Sequence, residues 1–393
     1  MQRGVAEIEQ ARAALDAVME RNFREWGELG ASVSVWRGGE EIISLSRGHA
    51  NRDGTRSWDA DTLVPVWSAT KGPAALACLL ALHESSLPLN TPVCEVWPRF
   101  ATAGKEHITF AQLLAHGAGL FALDSTTPMV NYGGVVAALE RQAPKITPDV
   151  KVAYHARTFG FLLDEIVQRI TGASSLGGYF REKIGAPMNL DFWIGLPTEE
   201  HHRVAALYPG RMRLSTAGDP FMRAFHTPGT ATHAAFTSLS GFASVHEMNQ
   251  AETWTRGFAS MGGVGSARAL GKFYAMLACG GIWNGEQIVP SWCMDAFSKT
   301  TAQGHDAVLC VETAFAAGMM RDPLDETDAK ARRFFGPSLS AFGHPGAGGS
   351  LAFADPERGL GFSYVMNQME LGALPGPKTL DLVAALDGLS GAK

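Results

Sequence analysis

Two stretches near opposite ends of the chain alternate apolar and polar residues with a period of two, and they restrict the fold more than any other feature of the sequence. Ala31-Ser-Val-Ser-Val-Trp36 and Glu41-Ile-Ile-Ser-Leu-Ser46 flank Gly38-Gly39, the pattern of a β-hairpin closed by a glycine turn. Ser350-Leu-Ala-Phe-Ala354, a turn at Asp355-Pro-Glu-Arg-Gly359, and Leu360-Gly-Phe-Ser-Tyr-Val-Met366 predict a second hairpin. With helices between them, these strands predict one antiparallel sheet shared by the two ends of the chain, covered by a last helix from Thr379 to Leu386.

Between the hairpins the texture is helical. Residues 5–26 place Ile8, Ala11, Leu15, Val18 and Met19 on one stripe. Thr109 to His116 and Gly133 to Arg141 predict short helices, the first ended by Gly117 and Gly119 and the second by Pro144. Beyond Tyr154, the residues Phe159, Leu162, Leu163, Ile166, Val167 and Ile170 share a face of a longer helix that stops at Gly172. Residues 176–260 mix Gly, Pro, His and aromatic residues with little periodicity, and predict loops and short helices that serve as lids and pocket walls. Arg268 to Leu277 resumes a helix, and Asn284-Gly285 marks a tight turn. The expected fold class is α+β. Residues 1–96 and 261–393 would form an α/β lobe around the shared sheet and residues 97–260 a mostly helical lobe, with the active site between the two.

With 393 residues, 46% of them hydrophobic and 18% charged, the chain can bury a large core. Its net charge of −6 and the lack of any Lys/Arg-rich run leave no electrostatic footprint for nucleic acid or an anionic membrane. Cysteines at 78, 94, 279, 293 and 310 fall at unrelated spacings, so reduced thiols are expected rather than disulfides or a zinc site. Met1 to Trp26 lacks the apolar core of a secretion signal, and no segment approaches the roughly 18 to 20 apolar residues of a membrane span. A cytoplasmic protein is expected, of undetermined oligomeric state. No phosphate loop or dinucleotide fingerprint is present, and His201-His202, His226 and His233 lack metal-ligand spacing, so neither a cofactor nor a metal is expected.

The chemistry centres on Trp67-Ser68-Ala69-Thr70-Lys71-Gly72 and the apolar run from Pro73 to Leu82. Ser68 and Lys71 stand three residues apart, which on a helix makes their side chains neighbours on one face. Ala74 to Leu82 is apolar on every side, the composition of a helix buried all round. At its N-terminus the free N–H groups and the dipole favour negative charge developing on an oxygen, and a desolvated lysine is more easily neutral. Taken alone, S-x-x-K also fits a capping serine and a solvated lysine. Near the other end, Phe342-Gly-His-Pro-Gly-Ala-Gly-Gly-Ser350 has enough glycine to bring backbone N–H groups against a ligand, as an oxyanion hole needs, or simply to turn into a strand.

Three boxes in order, Ser68-x-x-Lys71, Tyr154, and His344-Pro345-Gly346 at the head of a strand, resemble the serine β-lactamase and penicillin-binding protein superfamily. Ile108-Thr-Phe-Ala-Gln-Leu-Leu-Ala-His116, Gly262-Gly-Val-Gly-Ser-Ala-Arg268 and Asn284-Gly-Glu-Gln-Ile-Val289 resemble it too. Within that group the chain looks most like the family VIII carboxylesterases, related to class C β-lactamases. The resemblance implies a nucleophilic Ser68, proton transfer by Lys71 and Tyr154, and an acyl-enzyme. It also implies an oxyanion hole from the N–H groups of Ser68 and Ala347, with His344, Gly346 and Ala347 against the substrate. Which of Lys71 and Tyr154 is the base stays open.

Two departures favour esters. Ala156 stands where lactamases and peptidases usually have an amide-binding Asn, and His344 replaces the usual Lys with a group mostly neutral at pH 7. The expected activity is therefore a serine carboxylesterase acting on short to medium acyl esters. The alternatives are a β-lactamase, D-aminopeptidase or DD-peptidase, an acyltransferase, or a binding protein that kept the fold. An α/β-hydrolase is disfavoured by the lack of G-x-S-x-G. Pocket walls are expected from the stretch that holds Trp193, Phe221, Phe225, Phe236 and Trp254.

Overall fold

The computed structural model describes residues 2–148, 152–210 and 218–391. Its centre is an antiparallel sheet of eight strands. From one edge to the other they are Ala302–His305, Glu312–Phe315, Met320–Arg321, Phe342–Pro345, Leu351–Asp355, Leu360–Met366, Gly30–Arg37 and Glu40–Gly48. Gly30–Arg37 pairs on one side with its hairpin partner and on the other with Leu360–Met366, in a register running from Ala31 opposite Met366 to Arg37 opposite Leu360. The two ends of the chain thus share one sheet, as the alternating patterns predict.

The strands at the centre are buried on both faces, and each face has its own kind of residue. Val33, Val35, Leu351, Phe353, Leu360 and Phe362 point to one side, where the Gln2–Glu25 and Pro377–Ala384 helices lay Ala11, Leu15, Leu382 and Val383 over them. The other face has small residues where a helix crosses it. Ala352, Ala354, Gly361 and Ser363 let the Ala267–Ala278 helix lie close to the sheet, and the Ser363 hydroxyl donates to the Ala267 carbonyl. Behind that helix lies Lys71–Glu84, whose residues Lys71 to Leu82 are all buried, packed against the Thr158–Thr171 helix. A helix apolar all round is the one that ends up in the middle of a core.

The structure adds strands that the sequence does not announce. Phe342–Pro345 is itself a strand paired with Leu351–Asp355, rather than a loop leading into one. The edge strands Ala302–His305, Glu312–Phe315 and Met320–Arg321 are too short and too rich in Gly, Gln and His for a period of two to stand out. Residues 176–260 form the expected short helices and loops but also two short strands, Phe192–Ile194 and Leu239–Ser240, with 211–217 of that stretch outside the described residues. Among the described residues no helix is long and apolar enough to cross a membrane.

Candidate active site

Ser68 opens a single 3-10 turn, Ser68–Thr70, that runs straight into the Lys71–Glu84 helix. The residue before it, Trp67, has φ 50° and ψ −132°, a conformation that a bulky side chain adopts only under constraint. The constraint is visible. The Trp67 carbonyl accepts from the Thr70 N–H at 3.0 Å and from its hydroxyl at 2.5 Å, and that hydroxyl accepts from Gly263 N–H at 2.8 Å. The tight turn leaves Ser68 partly exposed while Ala69, Thr70 and Lys71 are buried.

The Lys71 amine lies 3.3 Å from Ser68 Oγ, 2.9 Å from the Ala156 carbonyl oxygen and 2.8 Å from that of Ser260. None of these partners carries a charge. Complete burial with no carboxylate to offset it pushes the Lys71 amine well below its ordinary range. Ser260 can come this close because the helix beside it has Gly160, where a Cβ would meet the Ser260 nitrogen at 2.5 Å.

Tyr154 sits on an irregular but buried segment, its ring centroid 4.7 Å from the Lys71 amine. Burial pushes the phenol above its ordinary value; contact with the Ser68 hydroxyl opposes this and the charge of Asp306 adds to it. Three histidines surround the pair. The His116 ring packs on Tyr154 with centroids 4.8 Å apart, and its Nδ1 accepts from His155 N–H at 3.1 Å. His155 Nε2 accepts from Leu120 N–H at 3.0 Å, which leaves its Nδ1 to donate to the Ala153 carbonyl. His344 lies 5.9 Å from the Tyr154 ring, fully buried, with Nδ1 against the Pro345 carbonyl. Burial lowers all three, His155 and His344 to about 3 and His116 well below its usual value, so they are neutral near pH 7.

The glycine-rich loop reaches the site from the Phe342–Pro345 strand. Gly346 donates its N–H to the Ser350 carbonyl at 2.6 Å, and the turn brings Ala347 to the cavity that Ser68 also lines. Among the described residues, neither the Ser68 nor the Ala347 N–H donates to another backbone carbonyl.

Ser68, Tyr154, Ala156 and Ala347 open onto a cavity of about 280 Å³. Phe221, Phe225, Phe236, Phe242 and Met261 make its walls largely apolar. Of the aromatic residues in the stretch expected to supply the walls, Phe221, Phe225 and Phe236 line it, whereas Trp193 and Trp254 pack with Leu63, Leu196, Val204 and Val264 in a separate small cluster. His344 and Gly346 stand behind the surface rather than lining the cavity. The sequence reading overlooked Asp306, which accepts from the Tyr154 N–H, and Ser260; a single Asp and a single Ser in aperiodic stretches give no signal for either role. Among the described residues no three His, Cys, Asp or Glu side chains gather as metal ligands.

A serine at the head of a buried helix, an amine one turn on, a phenol from a separate loop and a glycine-rich strand turn, all on a helix-covered antiparallel sheet, define a β-lactamase/transpeptidase-like fold. The sequence profile of the family described as Beta-lactamase matches residues 13–385, and the chain belongs to that family. Over 357 residues it is 28% identical to the esterase/beta-lactamase LipL of Mycobacterium tuberculosis, a match that spans 86% of this chain and 77% of LipL. A solved family VIII carboxylesterase superposes with a TM-score of 0.84 at 32% identity, covering 97% of this chain and 96% of the other. A penicillin-binding protein homologue from Caulobacter crescentus gives a TM-score of 0.82 at 34% identity, covering 95% and 96%.

Proposed function

We propose that the protein is a serine carboxylesterase that hydrolyses short to medium acyl esters through an acyl-enzyme on Ser68. The observation that carries this reading is the environment of Lys71. A neutral amine has two hydrogens and one lone pair, and two carbonyls lie at hydrogen-bonding distance, those of Ala156 and Ser260. With both hydrogens taken, the lone pair is left for the Ser68 hydroxyl at 3.3 Å. Lys71 is then the base and Tyr154, whose phenol burial keeps protonated, is the acid.

In this mechanism Ser68 Oγ attacks the ester carbonyl carbon as its proton passes to Lys71. The carbonyl oxygen becomes an oxyanion facing the N–H groups of Ser68 and Ala347; one such donor typically contributes about 3 kcal/mol of transition-state stabilisation. Collapse breaks the bond to the alcohol oxygen, which takes the Tyr154 proton, and the proton held by Lys71 replaces it on Tyr154. Water repeats the sequence in reverse on the acyl-enzyme, releasing the acid and restoring Ser68.

Esters are favoured over amides and lactams on this chain's own residues. Ala156 lines the cavity with a side chain that has no group to bind a substrate amide, and the buried, neutral His344 supplies no cation to a substrate carboxylate. Those same positions weigh against the β-lactamase and peptidase readings. The carboxylesterase activity of the family VIII relative points the same way. The test is to label the protein with a fluorophosphonate, map the adduct, and compare p-nitrophenyl butyrate with nitrocefin. Adduct on Ser68, loss of turnover in Ser68→Ala and a strong preference for the ester are expected. Label elsewhere, or undiminished turnover in Ser68→Ala, overturns the reading.

A further inference from the structure

Tyr154 carries its phenol on a stretch that is neither helix nor strand, so something other than a backbone ladder must fix it. Three successive N–H groups show what does. That of Ala153 donates to the His116 carbonyl at 3.3 Å and that of His155 to His116 Nδ1 at 3.1 Å, so His116 grips the residues on either side. The N–H of Tyr154 itself goes to Asp306 Oδ1 at 3.1 Å.

Asp306 is fully buried. Its Oδ1 also accepts from Val308 N–H at 2.8 Å and Leu309 N–H at 2.9 Å, while Oδ2 accepts from the Thr313 hydroxyl at 3.4 Å. The bonds to 308 and 309 are a local turn that a shorter side chain could also close. The bond to Tyr154 is different, because it crosses from the sheet-edge segment to the loop that carries the phenol. Among the described residues no cation lies within ion-pair distance of this carboxylate; Arg332 feels its charge from further off, so hydrogen bonds are its direct partners, and its field also reaches Tyr154. Burying an acid on such terms costs stability that a turn by itself does not require.

We propose that Asp306 is a positioning residue that holds Tyr154 in line to protonate the leaving alcohol; the proposal rests on the esterase reading given above. A residue acting in this way matters most where the leaving group needs a proton. Ethoxide needs one and p-nitrophenolate does not, so the two esters of one acid separate this role from a general loss of structure.

The experiment compares kcat/KM for ethyl butyrate and p-nitrophenyl butyrate in wild type, Asp306→Ala and Asp306→Asn. In Asp306→Ala the ethyl ester should lose about 100-fold and the p-nitrophenyl ester tenfold or less. Asp306→Asn keeps a carbonyl oxygen where all three backbone N–H groups converge, and should stay within about threefold of wild type on both. If Asp306→Ala does not fold, Asp306→Ser, which can close the local turn but is too short to reach Tyr154, should show the same split. Equal losses on both esters, or no loss on either, overturn the proposal. Fluorophosphonate labelling of Ser68 in the wild type tells the two ideas apart. With Ser68 labelled, an unchanged ratio sinks only the role of Asp306, whereas label elsewhere sinks the esterase reading and this proposal with it.

Discussion

Gly346 packs against Val66 with no room for a methyl group: a Cβ at position 346 would meet the Val66 carbonyl oxygen at 2.1 Å. Val66 lies two residues before Ser68, so this contact sets how closely the glycine-rich loop approaches the serine turn. A side chain here must push the two apart, and Ala347 would move away from Ser68 with the loop. Gly346→Ala should therefore lower kcat by about 100-fold or more, as expected for a lost oxyanion donor, with roughly 1–3 kcal/mol of lost stability from overpacking. Rates with p-nitrophenyl butyrate and urea unfolding of the same variant check both. Retained kcat would mean that the Ala347 N–H is not needed.

Lys71 makes a signed prediction about pH. Its amine is pushed down in the folded protein by burial, whereas in the unfolded chain it has the ordinary lysine value. Between those two values the unfolded state binds a proton that the native state does not, so stability rises with pH and falls as pH is lowered. Lys71→Met removes this dependence. The stability of the variant relative to wild type should grow as pH is lowered from 10 to 7, by up to about 1.4 kcal/mol per unit, while ester hydrolysis falls by about 100-fold or more. Urea unfolding at several pH values decides it. Parallel curves for the two proteins would show that Lys71 keeps its charge when folded.

The histidines around Tyr154 act in a lower pH window. His155 and His344 are held down to about 3 by burial, and His116 is lowered as well. The native state keeps them neutral, whereas in the unfolded chain they take up protons below about pH 6.5. Stability should accordingly be flat from this source above that pH and drop below it, by about 2 kcal/mol for each histidine between pH 6.5 and 5. His344→Gln should remove about one third of that slope. Chemical unfolding of both proteins at pH 7 and pH 5 measures it, and equal slopes would place His344 in contact with solvent.

How much of this could be read from the residues depends on whether an element repeats. The hairpins at 30–48 and 351–366 and the buried helix after Lys71 carry periodic patterns long enough to identify, and they place Ser68 beside the sheet. The edge strands between 302 and 321 are too short for a pattern, so the segment bearing Asp306 reads as loop. Residues whose types and order are distinctive, namely Ser68, Lys71, Tyr154 and the glycine-rich loop, stand out along the chain. Partners that act through the main chain do not. The Ser260 carbonyl could belong to any residue type, and only the path of the backbone brings it 2.8 Å from Lys71. The same holds for the cavity walls, where Phe236 and Trp254 look alike in sequence and one lines the cavity while the other packs in a separate cluster.

Arg157 ties the cavity wall to the tyrosine loop. Three residues beyond Tyr154, its guanidinium donates to the carbonyls of Phe236, at 3.3 Å, and of Leu239 and Gly241, and touches the Met129 sulfur. It is 2% exposed, and burial pulls it down to about 10 with only Glu247 opposing. The carbonyls it holds belong to the segment that sets Phe236 and Phe242 on the cavity wall. Arg157→Met keeps the length of the side chain and loses every donor, leaving those carbonyls unpaired at roughly 1–3 kcal/mol each where they stay buried. The wall should then slacken and its fit to an acyl chain fail before the chemistry does. The expected outcome is a kcat/KM for p-nitrophenyl octanoate about tenfold lower relative to the acetate, carried mainly by KM, with acetate turnover within about threefold of wild type. Phe236→Ala should act oppositely, enlarging the cavity and improving the octanoate relative to the acetate. An equal effect of Arg157→Met on both esters would mean that it supports the fold without shaping the substrate.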